Sequence, residues 1–157
     1  MMVVIRPFSP ADTDAVHQIG ADTALYGAPV EAIFEDRRLF IDIFMRHYTT
    51  YKPRFRRALV AAAGRALRGY YRLGPRTVRA GIGFVREMFS RRTRPDLAPY
   101  PAHLHINLAA LYRGQGIGRG LLTVYLDQCR AAGGTGVHLS TTDQNAAAGR
   151  FMGLSWG

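Results

Sequence analysis

Residues 103–118, HLHINLAALYRGQGIG, constrain this chain more than any other stretch. Leu104, Ile106 and Leu108 alternate with other residues and read as a strand. A short loop follows, Arg113-Gly114-Gln115-Gly116-Ile117-Gly118, and then Leu121, Leu122, Tyr125, Leu126 and Cys129 recur at helical spacing. A strand, a glycine-rich turn and a helix start leave backbone N–H groups pointing outward, and the helix dipole adds partial positive charge there. An anion is expected at such a place, a pyrophosphate above all. Gly114, Gly116 and Gly118 let the backbone approach it closely, and Arg113 and Arg119 add full charges. The loop lacks the Gly-Lys-Ser/Thr of a P-loop, and no G-x-G-x-x-G of a dinucleotide fold lies near the N-terminus.

The motif Arg-x-x-Gly-x-Gly after a strand resembles the acetyl-coenzyme A loop of the GNAT acetyltransferases. Downstream, residues 136–141 (GVHLST) read as the next strand, and 145–151 (NAAAGRF) resemble the family's Asn-x-x-Ala-x-x-Phe helix. Upstream, Val3-Val4-Ile5-Arg6-Pro7 followed by Ala11-Asp12 resembles its opening strand and first helix. The resemblance is specific over about 103–151, weaker at the N-terminus and poor in the middle. It implies an α/β fold, with a mixed, mostly antiparallel central sheet flanked by helices. It also implies acetyl-CoA as co-substrate and an amine-bearing acceptor, small molecule or protein. By the same resemblance, backbone groups near Leu108 bind the pantetheine arm, Asn145 reaches it from the other side, and Arg113, Gly114, Gln115, Gly116, Ile117, Gly118 and Arg119 hold the pyrophosphate.

Acetyl transfer needs a group to take the amine proton. His103 and His105 alternate with Leu104 and Ile106, so both face one side of the strand. Imidazole titrates near neutral pH. The run Ala102-His103-Leu104-His105 is similar to one on the corresponding strand of the arylalkylamine acetyltransferases, where the histidines serve proton removal. The alternative is a pair of hydrogen-bonded strand histidines. His17, His47 and His138 show no metal-ligand spacing. Many family members carry a tyrosine as general acid where this chain has Met152, and a final strand pair beyond the position of Gly157. An incomplete GNAT-like sheet is therefore expected.

The chain's 157 residues suit a single domain with one core, and 48% hydrophobic content suffices for globular folding. The lone cysteine, Cys129, excludes an internal disulfide and falls on the apolar face of its helix. No secretory segment or membrane span is apparent, so a cytoplasmic protein is expected. The net charge of +10 is unevenly placed: residues 52–94 hold Lys52 and twelve arginines against Glu87, and the rest holds eight basic and ten acidic residues.

Residues 3–8 read as the first strand. Ser9 or Asp12 caps a helix with Pro10 in its first turn and Ala15, Val16 and Ile19 on its apolar face. A second amphipathic helix is expected from Val30 to about His47-Tyr48, with Tyr26 and Tyr48 either packed at helix ends or lining the acceptor pocket. A helix over 54–72 sets Phe55, Leu59, Ala62, Ala63, Ala66 and Tyr70 on one face and Arg54, Arg57, Arg65, Arg68 and Arg72 on another. Gly74-Pro75 breaks it. Residues 77–89 continue the pattern, though Gly81 and Gly83 weaken it and leave 77–85 as a candidate strand.

The basic helical insert at about 54–94 is a solvated face, a site for nucleic acid or another anionic surface, or a means of recruiting an acidic acceptor. In the nucleic-acid reading Tyr70 and Tyr71 would stack on bases. Three functions follow: N-acetyl transfer by direct attack in a ternary complex, a degenerate domain without turnover, or a basic binding module. A sheet edge left open would favour a homodimer.

Overall fold

The computed structural model describes residues 3–50, 55–88, 96–141, 145, 148 and 149. The chain forms two compact units, one of residues 8–92 and one of residues 1–7 with 93–157.

The first unit is helical. A 3-10 turn, Pro10–Asp12, leads into α1 (Thr13–Asp22). The Asp12 carboxylate accepts from the Ser9 amide at 2.8 Å, and Pro10 occupies the first turn, where its missing N–H costs nothing. The buried side of α1 carries His17, Gly20 and Ala21; Ala15 is exposed and Val16 and Ile19 are half-buried. The inward stripe is thus rotated from the one the aliphatic residues suggested. Gly20 explains part of it: a Cβ there would stand 2.1 Å from Cε of Met45.

The second helix starts later than Val30. Val30–Ala32 is a short 3-10 turn, and α2 (Arg37–Phe40) begins only after Asp36, whose carboxylate accepts from the Arg38 amide at 3.0 Å. It runs through a π-helical stretch, Ile41–Met45, into α3 (Arg46–Thr49). Next come α4 (Phe55–Leu67) and α5 (Pro75–Met88). The helix expected over 54–72 therefore ends at Leu67, with Gly69 at φ +71° just beyond it.

Residues 77–85 are helical, which overturns the strand reading. Glu35 supplies the cause. Its carboxylate accepts from the amides of Arg76 and Thr77, each at 2.9 Å, and from the Thr77 hydroxyl. An acid from a distant turn thereby caps a helix whose own sequence has Pro75 at its first position. Asp36 beside it accepts from the Arg72 amide at 3.0 Å.

Leu39, Ala62 and Tyr71 form the core of this unit, with Phe34, Ile43 and Ala66 packed against them. Phe44 joins Phe40 at 5.3 Å between ring centroids and Phe84 edge-on at 5.8 Å. Asp42 is 4% exposed among these groups. It accepts from Arg46 at 2.5 Å, Arg65 at 2.7 Å and the Tyr71 hydroxyl at 2.6 Å. Burial alone would raise the Asp42 carboxyl; the bonds from Tyr71 and Arg46 and the charges of Arg46 and Arg65 outweigh it and hold the group below the usual carboxylate range. Tyr71 is therefore committed to the interior, which corrects its reading as a base-stacking residue. Tyr70 remains half exposed, with the Arg38 guanidinium 4.7 Å above its ring.

Asp42→Asn is expected to lower the unfolding free energy by about 1–3 kcal/mol, because the buried Tyr71 hydroxyl loses its charged acceptor while the half-exposed arginines regain water. Urea unfolding measures it, and a change below about 0.5 kcal/mol would show that the cluster contributes nothing.

Acid should weaken the same unit. The Arg38 hydrogen bond holds Asp36 near about 2, and the Thr77 hydroxyl holds Glu35 near about 2. A depressed carboxylate stabilises above its unfolded value and loses that contribution as pH falls through the folded one. Thermal stability should therefore drop between pH of about 4.5 and about 2, and Asp36→Asn should flatten the drop.

The second unit holds the sheet. β1 (Ala102–His103) pairs in parallel with β2 (Val137–His138), in the register Ala102 to Val137 and His103 to His138. The Leu104 amide extends the ladder to the His138 carbonyl at 2.9 Å. Both strands are shorter than the alternation of Leu104, Ile106 and Leu108 and the run 136–141 suggested. Residues 3–8 form no strand, which corrects their reading as the first one; Ile5 instead lies against α6 (Ile117–Ala131), its Cδ1 3.0 Å from where a Cβ on Gly120 would stand. Antiparallel strands, expected of the larger sheet, do not occur among the described residues. α6 buries Gly118 and Leu122, with Leu121, Tyr125, Leu126 and Cys129 half-buried. Phe151, Met152 and Trp156 lie outside the described residues.

Candidate functional site

The link between β1 and α6 sets the geometry. Ala110–Tyr112 makes one 3-10 turn; Gly114 and Gly116 then take φ of +73° and +77°, and α6 starts at Ile117. The left-handed backbone at Gly116 turns the chain sharply into the helix, a conformation that costs any residue with a Cβ about 1–2 kcal/mol. A Cβ built on either glycine meets nothing within 4 Å, so the space beside the loop is open. The first helical bond of this turn runs from the Gly120 amide to the Gly116 carbonyl at 3.1 Å, and the amides of Ile117, Gly118 and Arg119 precede it. Open space, first-turn amides and the exposed Arg113 and Arg119 together suit a phosphate.

The loop's side chains brace it. Arg113 Nε donates to the Leu108 carbonyl at 3.0 Å, and Gln115 Nε2 donates to the Leu111 carbonyl at 2.6 Å. Arg113 thus ties the end of the strand segment to the loop. Asn145 is half-buried, and its Oδ1 accepts from the Ala148 amide at 3.1 Å, a helix-capping bond.

His103 and His105 are exposed and Leu104 between them is buried, the alternation that period-two spacing requires. Their surroundings differ. The His103 ring lies against the His138 ring, with centroids 5.0 Å apart and planes 27° apart. His138 is itself fixed: its Nδ1 is 2.6 Å from the Tyr100 carbonyl, so that nitrogen carries the proton. The Tyr125 hydroxyl, raised in pKa by burial, donates to the His103 carbonyl at 2.9 Å. His105 Nε2 is 3.2 Å from Nδ2 of Asn107. Sequence spacing did not single out His138 or Tyr125 as neighbours of His103. His138 arrives through the parallel register and Tyr125 from the third turn of α6, so neither signal lies in the local sequence.

Tyr26 and Tyr48 are both half exposed; Tyr26 sits at φ +52° in a turn, and burial of its ring raises the Tyr48 hydroxyl. No group of three or more His, Cys, Asp or Glu side chains suited to a metal occurs among the described residues. No helix among them is long and apolar enough to cross a membrane.

Residues 31–154 match the family model described as Acetyltransferase (GNAT) family. The crystal structure of SsHAT is similar, with a TM-score of 0.68 and 26% sequence identity, over 95% of this chain and 87% of that one. No curated protein matches.

Proposed function

The chain belongs to the GNAT acetyltransferase family, and from that premise we propose that it moves an acetyl group from acetyl-CoA to a primary amine by direct attack in a ternary complex. The observation that carries this reading is the loop at Gly114–Gly116, opening onto the first turn of α6, where two left-handed glycines leave room for a pyrophosphate.

The roles follow from chemistry. Arg113, Gly114, Gln115, Gly116, Ile117, Gly118 and Arg119 hold the pyrophosphate, through first-turn amides and guanidinium charge. Backbone groups at Leu108 and the side chain of Asn145 bind the pantetheine arm. The bond from Arg113 to the Leu108 carbonyl makes that carbonyl a shared acceptor. Acetyl-CoA supplies a thioester whose acyl carbon is open to an amine. The amine nitrogen forms the new C–N bond, the C–S bond breaks and the thiolate leaves, while a histidine takes the amine proton. His103 or His105 is that base. The plate made by His138 and the bond from Tyr125 hold His103 in one place and favour it.

Release of free CoA thiol from acetyl-CoA, followed against a panel of amines, aminoglycosides and peptides, tests the reading. Acceptor-dependent release supports it. Tight acetyl-CoA binding with no release for any acceptor would identify a degenerate domain.

A further inference from the structure

The two helices of the basic segment turn aliphatic side chains outward. α5 packs inward through Thr77, which is buried, Ala80, and Phe84 against Phe44. Val78, Ile82 and Val85 follow at intervals of four and three, so they make one stripe on another side of the helix. They are 57%, 59% and 48% exposed. Arg79 and Arg86 project beside that stripe, each one residue beyond a member of it, and both are exposed. α4 repeats the pattern: Ala62 is buried, whereas Val60 and Leu67, two turns apart, are 74% and 90% exposed, with Arg57 and Arg68 exposed beside them. Arg57, Arg68, Arg79 and Arg86 form no ion pair among the described residues.

An exposed aliphatic stripe bordered by cations is not what a solvated face carries. Nor does it suit nucleic acid, which rewards charge and stacking but not valine and isoleucine. The stacking residues are also engaged, Tyr71 inside the core and Tyr70 beneath Arg38. A second copy of the chain would set one arginine rim against another. An anionic bilayer meets both halves of the pattern: aliphatic side chains enter the acyl boundary while arginine stems lie along it and their heads reach lipid phosphates. We propose that α5, with its stripe of Val78, Ile82 and Val85 and its arginine rim, docks on an anionic lipid surface.

The test is flotation of the full chain with vesicles of phosphatidylglycerol and phosphatidylcholine in equal parts, and with phosphatidylcholine alone. Binding to the anionic vesicles only is expected. Ile82→Ser/Val85→Ser keeps every charge and lies at exposed positions; it should weaken binding about tenfold or more. Arg79→Gln/Arg86→Gln should weaken it at low salt and flatten its salt dependence. Thermal unfolding of each variant should match the parent. Undiminished binding by Ile82→Ser/Val85→Ser in folded protein would overturn the proposal. So would absence of vesicle binding, whether the same variant instead loses affinity for a duplex oligonucleotide or loses a dimer in sedimentation.

Discussion

His103→Ala/His105→Ala is expected to lower kcat/KM for an amine acceptor by about 10²–10⁴ at neutral pH, the usual contribution of a positioned base. The loss should shrink as pH rises. An alkylamine is protonated at neutral pH, and only its free base attacks. Where the enzyme supplies no base, solution hydroxide must, so the variant's rate should climb with pH toward that of the parent. A merely structural role would not move the pH profile in that way. The single variants divide the effect. His103 is held between a stacked His138 and the Tyr125 hydroxyl at its carbonyl, whereas His105 has the Asn107 amide 3.2 Å from its Nε2. If His103 is the base, His138→Ala should cost about tenfold through loss of ring position, and His105→Ala much less than His103→Ala. If His105 is the base, the order reverses and His138→Ala changes little. Steady-state kinetics across the pH range separates these outcomes. Full activity in the double variant would remove both histidines from the chemistry.

The second large effect lies in the loop. Gly116→Asp should weaken acetyl-CoA binding at least about 100-fold while the fold survives. Two causes act together. The position has φ +77°, where aspartate is among the better tolerated residues with a side chain, and no atom stands within 4 Å of a Cβ built there. The strain therefore stays within the about 1–2 kcal/mol that a left-handed residue costs. The carboxylate, however, occupies the space that the pyrophosphate needs and repels it at close range, where like charges a few ångströms apart are costly. Gly116→Ala separates the two causes, since it adds the strain without the charge and should cost about tenfold or less. Isothermal titration with acetyl-CoA measures both. Equal affinity in Gly116→Asp and the parent would move the anion site away from this loop.

The features legible in the sequence were local ones. Glycines beside an arginine, ahead of a helical apolar pattern, announced the loop, and of the apolar positions read on α6 Leu122 is buried while Leu121, Tyr125, Leu126 and Cys129 are half-buried. The alternation around Leu104 set both histidines on one side of the strand, and both are exposed where Leu104 is buried. What misled was context. Residues 77–85, with β-branched side chains and two glycines, look poor for a helix; Glu35, forty-two residues before Thr77, caps it through the amides of Arg76 and Thr77. Residues 3–8 have strand-like composition, but a strand exists only as one side of a ladder. Arg65 looked like part of an outward basic face, yet it turns to Asp42, twenty-three residues earlier, and Tyr71 does the same. The pairing of His103 with His138 depends on a parallel register that neither segment encodes alone.

Thermal unfolding of the full chain, titrated with acetyl-CoA from micromolar to millimolar concentration, tests the central claim most directly. A specific site filled to about 100 times its dissociation constant adds about 2.7 kcal/mol. For a domain of this size that raises Tm by about 5–10 °C. The predicted result is a rise of that order in the parent, reduced in Gly116→Ala and absent in Gly116→Asp. A cooperative transition that acetyl-CoA leaves unmoved across the whole range would contradict the assignment of the loop as its site.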